Sequence, residues 1–332
     1  MSDDYLWDPT AVPDPEIQRL EVLLRPAAYT PAPLRESTVP PRRFRVGVWS
    51  ALAAAAVIAV GGVYAVRRAS VVPWTVTAER GAPVIRGASG ELSRGALARG
   101  GVVETDARSS AVLTVGRIGR AELGPDSRLR LLGNDASEHR LALERGTMHA
   151  SIDAPPRYFL VQTASALAVD LGCVYTLTAD ERGDGLLTVE QGEVELQFGD
   201  VRVAVLAGNA ASLRNGRGPG LPYLVHAPAA LRRAVAAYDA DPSSAAAVDG
   251  VLAAADAHST ITLWHLLQRA EPAARERVFA RLAAIAPPPA TATRERVLRG
   301  ESGALQRWRT DLQPKWADEP SVLRKAWLAL SR

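Results

Sequence analysis

The residues that could carry chemistry are few. Five histidines occur, His139, His149, His226, His258 and His265. Only His258 and His265 are close enough in sequence to share a helical face, at i and i+7, and no carboxylate beside them completes a familiar metal spacing. Cys173 is the single cysteine, which excludes an intrachain disulfide and any multi-cysteine zinc site. Lys315 and Lys325 are the only lysines, so residues 1–314 hold neither a P-loop lysine nor a Schiff-base lysine. Ser89 stands in Gly87-Ala88-Ser89-Gly90-Glu91, which is not a G-x-S-x-G elbow and reads as a turn. Gly216-Arg217-Gly218-Pro219-Gly220 lacks the spacing and the following helix of a dinucleotide loop and reads as a linker. Glu193 and Glu195 share a strand face at i and i+2, but no histidine accompanies them, so they read as surface acids. Cys173 lies beside an apolar strand and reads as a small buried hydrophobe. These residue types predict no catalytic, cofactor-binding or metal-ligating site, no cofactor, and a protein that is not an enzyme.

The elements around them explain more. The chain has 332 residues, 47% hydrophobic and 23% charged, enough for about two domains. Its net charge of +3 is too small for a dedicated nucleic-acid binder. Val46–Val66 runs for 21 residues without a charge. As a helix it would be about 31 Å long, matching a bilayer core. Trp49 and Tyr64 sit near its ends, with Arg42, Arg43 and Arg45 before it and Arg67 and Arg68 after it. The pattern predicts one transmembrane helix at 46–66 with a cytoplasmic N-terminus. A buried core helix, or a signal peptide cut near Val63-Tyr64-Ala65, are the other readings.

Residues 1–45 are too few for an ordinary core. Asp14-Pro15 reads as an N-cap followed by proline at the first helical position, and Ile17, Leu20 and Leu24 then share one face until Pro26. Trp7 lies in an apolar cluster ahead of that helix, and Pro31, Pro33, Pro40 and Pro41 follow it as an extended linker. So short an amphipathic helix packs on a partner, lies on a membrane, or stays largely disordered. Trp7, Ile17, Leu20 and Leu24 are the candidate partner-binding residues.

Residues 74–224 carry short alternating runs, among them Ala111–Val115, Ser127–Leu132, Arg140–Leu143, Tyr158–Val161, Val174–Thr178, Leu186–Val189, Val194–Phe198 and Val201–Leu206. Turn signals such as Gly124-Pro125-Asp126, Gly146 and Gly183-Asp184-Gly185 separate them, which predicts an all-β sandwich, barrel or roll. Gln191-Gly192-Glu193 reads as a tight hairpin. Residues 228–332 switch to helical signals, with starts at Asp241-Pro242 and Glu271-Pro272 and later helices near Leu305–Leu312 and Ser321–Leu330. Trp264, Trp308, Trp316 and Trp327 supply the bulk of an otherwise alanine-rich helical core. Asn215–Pro222, where glycine and proline cluster, reads as the join between the two parts.

Several runs in the β region resemble a known family. Ser110–Val115 followed by Ala121-Glu122-Leu123-Gly124-Pro125-Asp126-Ser127-Arg128-Leu129 looks like the first half of a FecR domain. Leu141–His149, Phe159–Thr163, Leu167–Tyr175 and Leu187–Val194 look like the second half. Gly172-Cys173-Val174-Tyr175 stands where family members often carry Gly-Thr-x-Phe. Leu263-Trp264-His265-Leu266-Leu267, the Pro287–Pro289 run and Thr293–Leu298 look like a C-terminal extension found on some FecR-domain proteins.

The resemblance implies a single-span protein of the bacterial inner membrane. Its segments would be a short cytoplasmic stretch (1–45), a transmembrane helix (46–66), an all-β FecR-like periplasmic domain (74–224) and an all-α C-terminal domain (228–332). It further implies a membrane-anchored signalling regulator that antagonises an extracytoplasmic-function sigma factor in the cytoplasm, with an unknown envelope or outer-membrane protein on the other side and no nucleic-acid partner. The alternative expectation is an envelope-facing scaffold, adhesion or ligand-binding module without sigma-factor contact.

Overall fold

The computed structural model describes Arg19 and residues 74–87, 90–92, 95–135 and 138–317. The expected membrane helix 46–66, the partner-binding residues Trp7, Ile17, Leu20 and Leu24, Ser89, Trp327 and the helix near Ser321–Leu330 lie outside the described residues. Among the described residues no helix is long and apolar enough to cross a membrane. The described residues from Trp74 onward fall within one compact unit.

Among the described residues eighteen strands build two layers over one apolar core. The first layer runs, in spatial order, β4 (Gly95–Leu97), β1 (Trp74–Arg80), β6 (Ser110–Val115), β7 (Gly119–Leu123), the second half of β9 (His139–Ile152), β12 (Val174–Ala179), β13 (Gly185–Gln191) and β16 (Asn209–Arg214). The short β17 (Gly218–Pro219) and β18 (Tyr223–Leu224) both pair with β16. The second layer runs β3 (Gly90–Leu92), β2 (Val84–Gly87), β5 (Val102–Glu104), β8 (Arg128–Asn134), the first half of β9, β10 (Phe159–Gln162), β11 (Leu167–Asp170), β14 (Glu193–Phe198) and β15 (Val201–Leu206). All these pairs are antiparallel except β9 with β10.

The 14-residue β9 belongs to both layers. Leu141 and Leu143 face the core in its first half, and Met148, Ala150 and Ile152 in its second. The inward parity therefore changes from odd to even between them, which a straight strand cannot do. The change falls at Arg145 and Gly146: Arg145 pairs with Arg128 in one layer and Gly146 with Ala179 in the other. Gly146 has φ +98°, and a Cβ there would lie 2.0 Å from Ser127 Oγ. Only glycine fits both conditions. Sequence reasoning stops the strand at Gly146 because glycine usually punctuates strands; here it lets one strand change layers.

The expected Gln191-Gly192-Glu193 hairpin is a corner instead. β13 pairs with β12 and β16, whereas β14 pairs with β11 and β15, so the two runs flanking Gly192 lie in different layers. Alternation on both sides of a glycine does not distinguish a hairpin from such a corner.

Six α-helices follow among the described residues: α1 (Ala229–Ala240), α2 (Ala245–Ala254), α3 (Thr260–Arg269), α4 (Pro272–Ile285), α5 (Arg294–Leu298) and α6 (Ser302–Leu312). Pro272 occupies the first turn of α4 as its missing N–H favours. Asp241-Pro242 does not start a helix. Asp241 instead accepts bonds from the Ser243 amide and hydroxyl, and Ser244 caps α2 through the Ala247 amide. Trp264, Trp308 and Trp316 are buried together, with Trp264 6.0 Å from Trp308 and 6.2 Å from Trp316 between ring centroids.

The expected linker Asn215–Pro222 is only partly exposed. Gly218–Pro222 are buried, and Leu221 and Leu224 join Ala204 and Leu206 of the second layer in the helical core. Asp239 of α1 explains the burial: its carboxylate accepts the Leu221 amide at 2.9 Å and the Ser212 hydroxyl at 2.6 Å. Arg269 of α3 donates to the Pro219 carbonyl at 2.9 Å. A Gly- and Pro-rich sequence looked like a free joint, but side chains remote in sequence saturate its backbone.

Candidate functional site

The polar group that stands out in the β core is the Asp170 carboxyl. It lies two residues after the core residue Ala168 on β11, so the strand's period of two turns it inward. It is 2% exposed. Its Oδ1 accepts the Gly172 amide at 2.6 Å, while its Oδ2 has no hydrogen-bond partner among the described residues. The amide and thiol of Cys173 lie against the same carboxyl. Among the described residues no cation offsets its burial, and desolvation pushes its pKa up to about 7.

Two further buried groups share this corner. The Cys173 thiol donates to the Glu193 carbonyl at 2.7 Å. Burial, then the neighbouring Asp170 carboxyl, pushes the thiol's pKa upward, so this is not an activated nucleophile. The expectation of a buried small Cys173 therefore holds, but the residue also bridges two turns. The Tyr175 hydroxyl has no hydrogen-bond partner among the described residues, and burial likewise holds it protonated. The corner is closed by glycine: Gly192 has φ +79°, and a Cβ there would lie 2.3 Å from the Gly172 carbonyl oxygen.

The corner reaches the helices. Glu193 Oε1 lies 3.9 Å from Arg309 Nη2 of α6. Glu195, expected to share a face with Glu193, is 3.9 Å from Arg157 and accepts from Gln197. Two acids in separate electrostatic settings do not form a hydrolytic pair.

The histidines are scattered. His139 is buried, accepts the Trp74 indole N–H at 3.2 Å and has its pKa lowered by desolvation. His265 is buried beside Trp316, and desolvation followed by Arg269 and Arg309 lowers its pKa to about 3. His258 precedes α3 and its amide bonds to Asp256, so it does not share a helical face with His265. His149 sits on the outer face of the first layer, 3.1 Å from the Thr176 hydroxyl. Among the described residues no group of three or more His, Cys, Asp or Glu side chains could hold a metal.

The β region is where known proteins are similar to this chain. Residues 101–195 match the family model described as FecR protein. The FecR match runs from the approach to β5 into the start of β14, so it contains the crossing strand β9 and the whole Asp170–Glu193 corner. Two crystal structures of a candidate anti-sigma factor from Parabacteroides distasonis ATCC 8503, at 1.65 and 2.50 Å resolution, are similar to the chain at 17% identity and a TM-score of 0.33. Each comparison covers 37% of this chain and 59% of that one. No curated protein matches the chain.

Sequence reasoning found the FecR-like runs and the buried thiol but missed Asp170 as a core acid. The signal was present: Ala168 and Asp170 have the same parity in the Leu167–Asp170 run, and one is apolar and the other charged.

Proposed function

We propose that this protein is a non-enzymatic regulator of a sigma factor, with its FecR-like β layers as the part that receives a signal. The observation that carries this reading is the FecR match over residues 101–195, which falls on the described β layers and not on an isolated motif. In this reading Val46–Val66 anchors the chain in the bacterial inner membrane. Residues 1–45 face the cytoplasm, and the β and helical parts face the periplasm, where an envelope protein supplies the signal.

The sigma-factor contact is assigned to Trp7 and the stripe Ile17, Leu20 and Leu24. A stripe that the short segment cannot bury alone gains about 1.5–3 kcal/mol for each large side chain a partner covers. Asp3, Asp4, Asp8, Asp14, Glu16 and Glu21 surround it, so its target has a basic surface. The test is a two-hybrid screen of the full-length chain against the extracytoplasmic-function sigma factors of the same cell. The parent should score with at least one, and Leu20→Asp with Leu24→Asp should lose it while Arg35→Ala keeps it. A parent that scores with none returns the protein to the class of envelope scaffolds.

A further inference from the structure

We propose that Asp170 is a proton-operated latch: protonated, its carboxyl keeps the Gly172–Gly192 corner closed, and ionised, it loosens that corner and the contacts that tie it to helix α6. The proposal does not depend on which partner the protein regulates. It rests first on position. An acid pointing between two β layers, 2% exposed and with one oxygen unpartnered among the described residues, is costly to charge. A neutral carboxyl there costs far less to bury, and its Oδ1 still accepts the Gly172 amide.

Second, the surroundings offer only partial relief on ionisation: the Gly172 amide and the amide and thiol of Cys173 favour the charged form, and burial outweighs them. From β12 and the turn before it the carboxyl meets the Cys173 thiol and the Tyr175 hydroxyl, both held protonated. From β14 the charged groups are Glu193 and Glu195, both of the wrong sign. On the approach to β10, Arg157 gives its backbone amide to the Asp170 carbonyl, but its guanidinium is 64% exposed and directed to Glu195 at 3.9 Å. Burial places the carboxyl's midpoint at about 7, so the charge change occurs within the range a cell envelope meets.

Third, the carboxyl is coupled to the rest of the molecule through a short chain of contacts. Asp170 holds the Gly172 amide, the Gly172 carbonyl abuts Gly192, the Cys173 thiol holds the Glu193 carbonyl, and Glu193 faces Arg309. An ionised carboxyl must draw in water or swing outward, and either movement displaces the turn whose amide it holds. The carboxyl's charge thus biases an element that reaches from the β layers to the helices.

Hydrogen exchange of the full-length chain, corrected for the intrinsic effect of pH, tests this. Peptides spanning residues 168–176 and 189–196 should exchange roughly tenfold faster at about pH 8 than at about pH 6, while the β8 peptide 128–134 changes little. Asp170→Asn should remove the rise at the corner, and Cys173→Ala should keep it, which assigns it to the carboxyl and not the thiol. A parent chain with no corner-specific rise overturns the latch without any variant. So does a rise that survives in Asp170→Asn.

Discussion

Gly192 sits so close to Gly172 that a β-carbon on the first would come within 2.3 Å of the carbonyl oxygen of the second. The neighbour is backbone, so it cannot rotate away. The corner between the two layers is therefore a place where two turns interlock through their lack of side chains.

Replacing that glycine should be among the most damaging small changes in the β region. Gly192→Ala places a methyl against the Gly172 carbonyl at φ +79°. Both the positive φ and the clash oppose it, and a loss of roughly 2–4 kcal/mol is expected. Gly199, also at positive φ but with nothing within 4 Å of an added Cβ, should lose only about 1 kcal/mol when changed to alanine. Denaturant unfolding of the two variants should show this difference; equal losses would mean that the interlock is not tight.

Asp170 makes stability depend on pH in an unusual direction. Its folded pKa of about 7 lies above its ordinary value of 3.8, so the native state holds the proton more tightly than the unfolded chain. The contribution is favourable at low pH, falls as pH rises from about 4 to about 7, and stays low above that. Its full span is up to roughly 4 kcal/mol. Asp170→Asn should flatten this limb and raise the midpoint of thermal unfolding at about pH 8 relative to the parent, with little change at about pH 4. A parent and variant that differ equally at both values would contradict it.

His265 acts on the acid side. Its pKa falls from 6.5 to about 3 because it is buried near Arg269 and Arg309. As pH drops below about 6.5 the unfolded chain takes up a proton that the native state refuses, so stability is lost progressively toward about pH 3. His265→Gln, which cannot be charged, should lose less stability than the parent between about pH 6 and pH 4, read as the change in unfolding midpoint over that interval. An acid limb as steep as the parent's would exclude His265 as its source.

Much of the architecture was legible because it depends on local pattern. The strands from Ala111 to Leu206 announce themselves by alternation, and α3 and α4 by their apolar faces and by Pro272. What was not legible depends on partners far away in sequence. Gly146 and Gly192 look like ordinary turn glycines until Ser127 and Gly172 are placed against them. The segment Gly218–Pro222 looks like a linker until Asp239 and Arg269 claim its backbone. Asp170 is the mixed case: its inward parity can be read from the strand, but that no cation among the described residues offsets its burial requires the fold.

The junction between strands and helices gives the last prediction. Asp239 is 4% exposed and satisfies both the Leu221 amide and the Ser212 hydroxyl, while Arg269 is held against the Pro219 carbonyl with its Nη2 unpartnered among the described residues. Burial raises the pKa of Asp239 and lowers that of Arg269, and each charge partly offsets the other's desolvation. Asp239→Ala removes two hydrogen bonds and leaves Arg269 buried without its counter-charge, so a loss of about 3–5 kcal/mol is expected. Asp239→Asn keeps an acceptor for the Leu221 amide and should lose less. Replacing both residues, as Asp239→Ala with Arg269→Met, should recover part of the loss, because an apolar pair carries no orphaned charge. Denaturant unfolding of the single and double variants measures the coupling. If the double variant loses the sum of the two single losses, the residues do not act as a pair, and the burial of Gly218–Pro222 must come from packing against the helices alone.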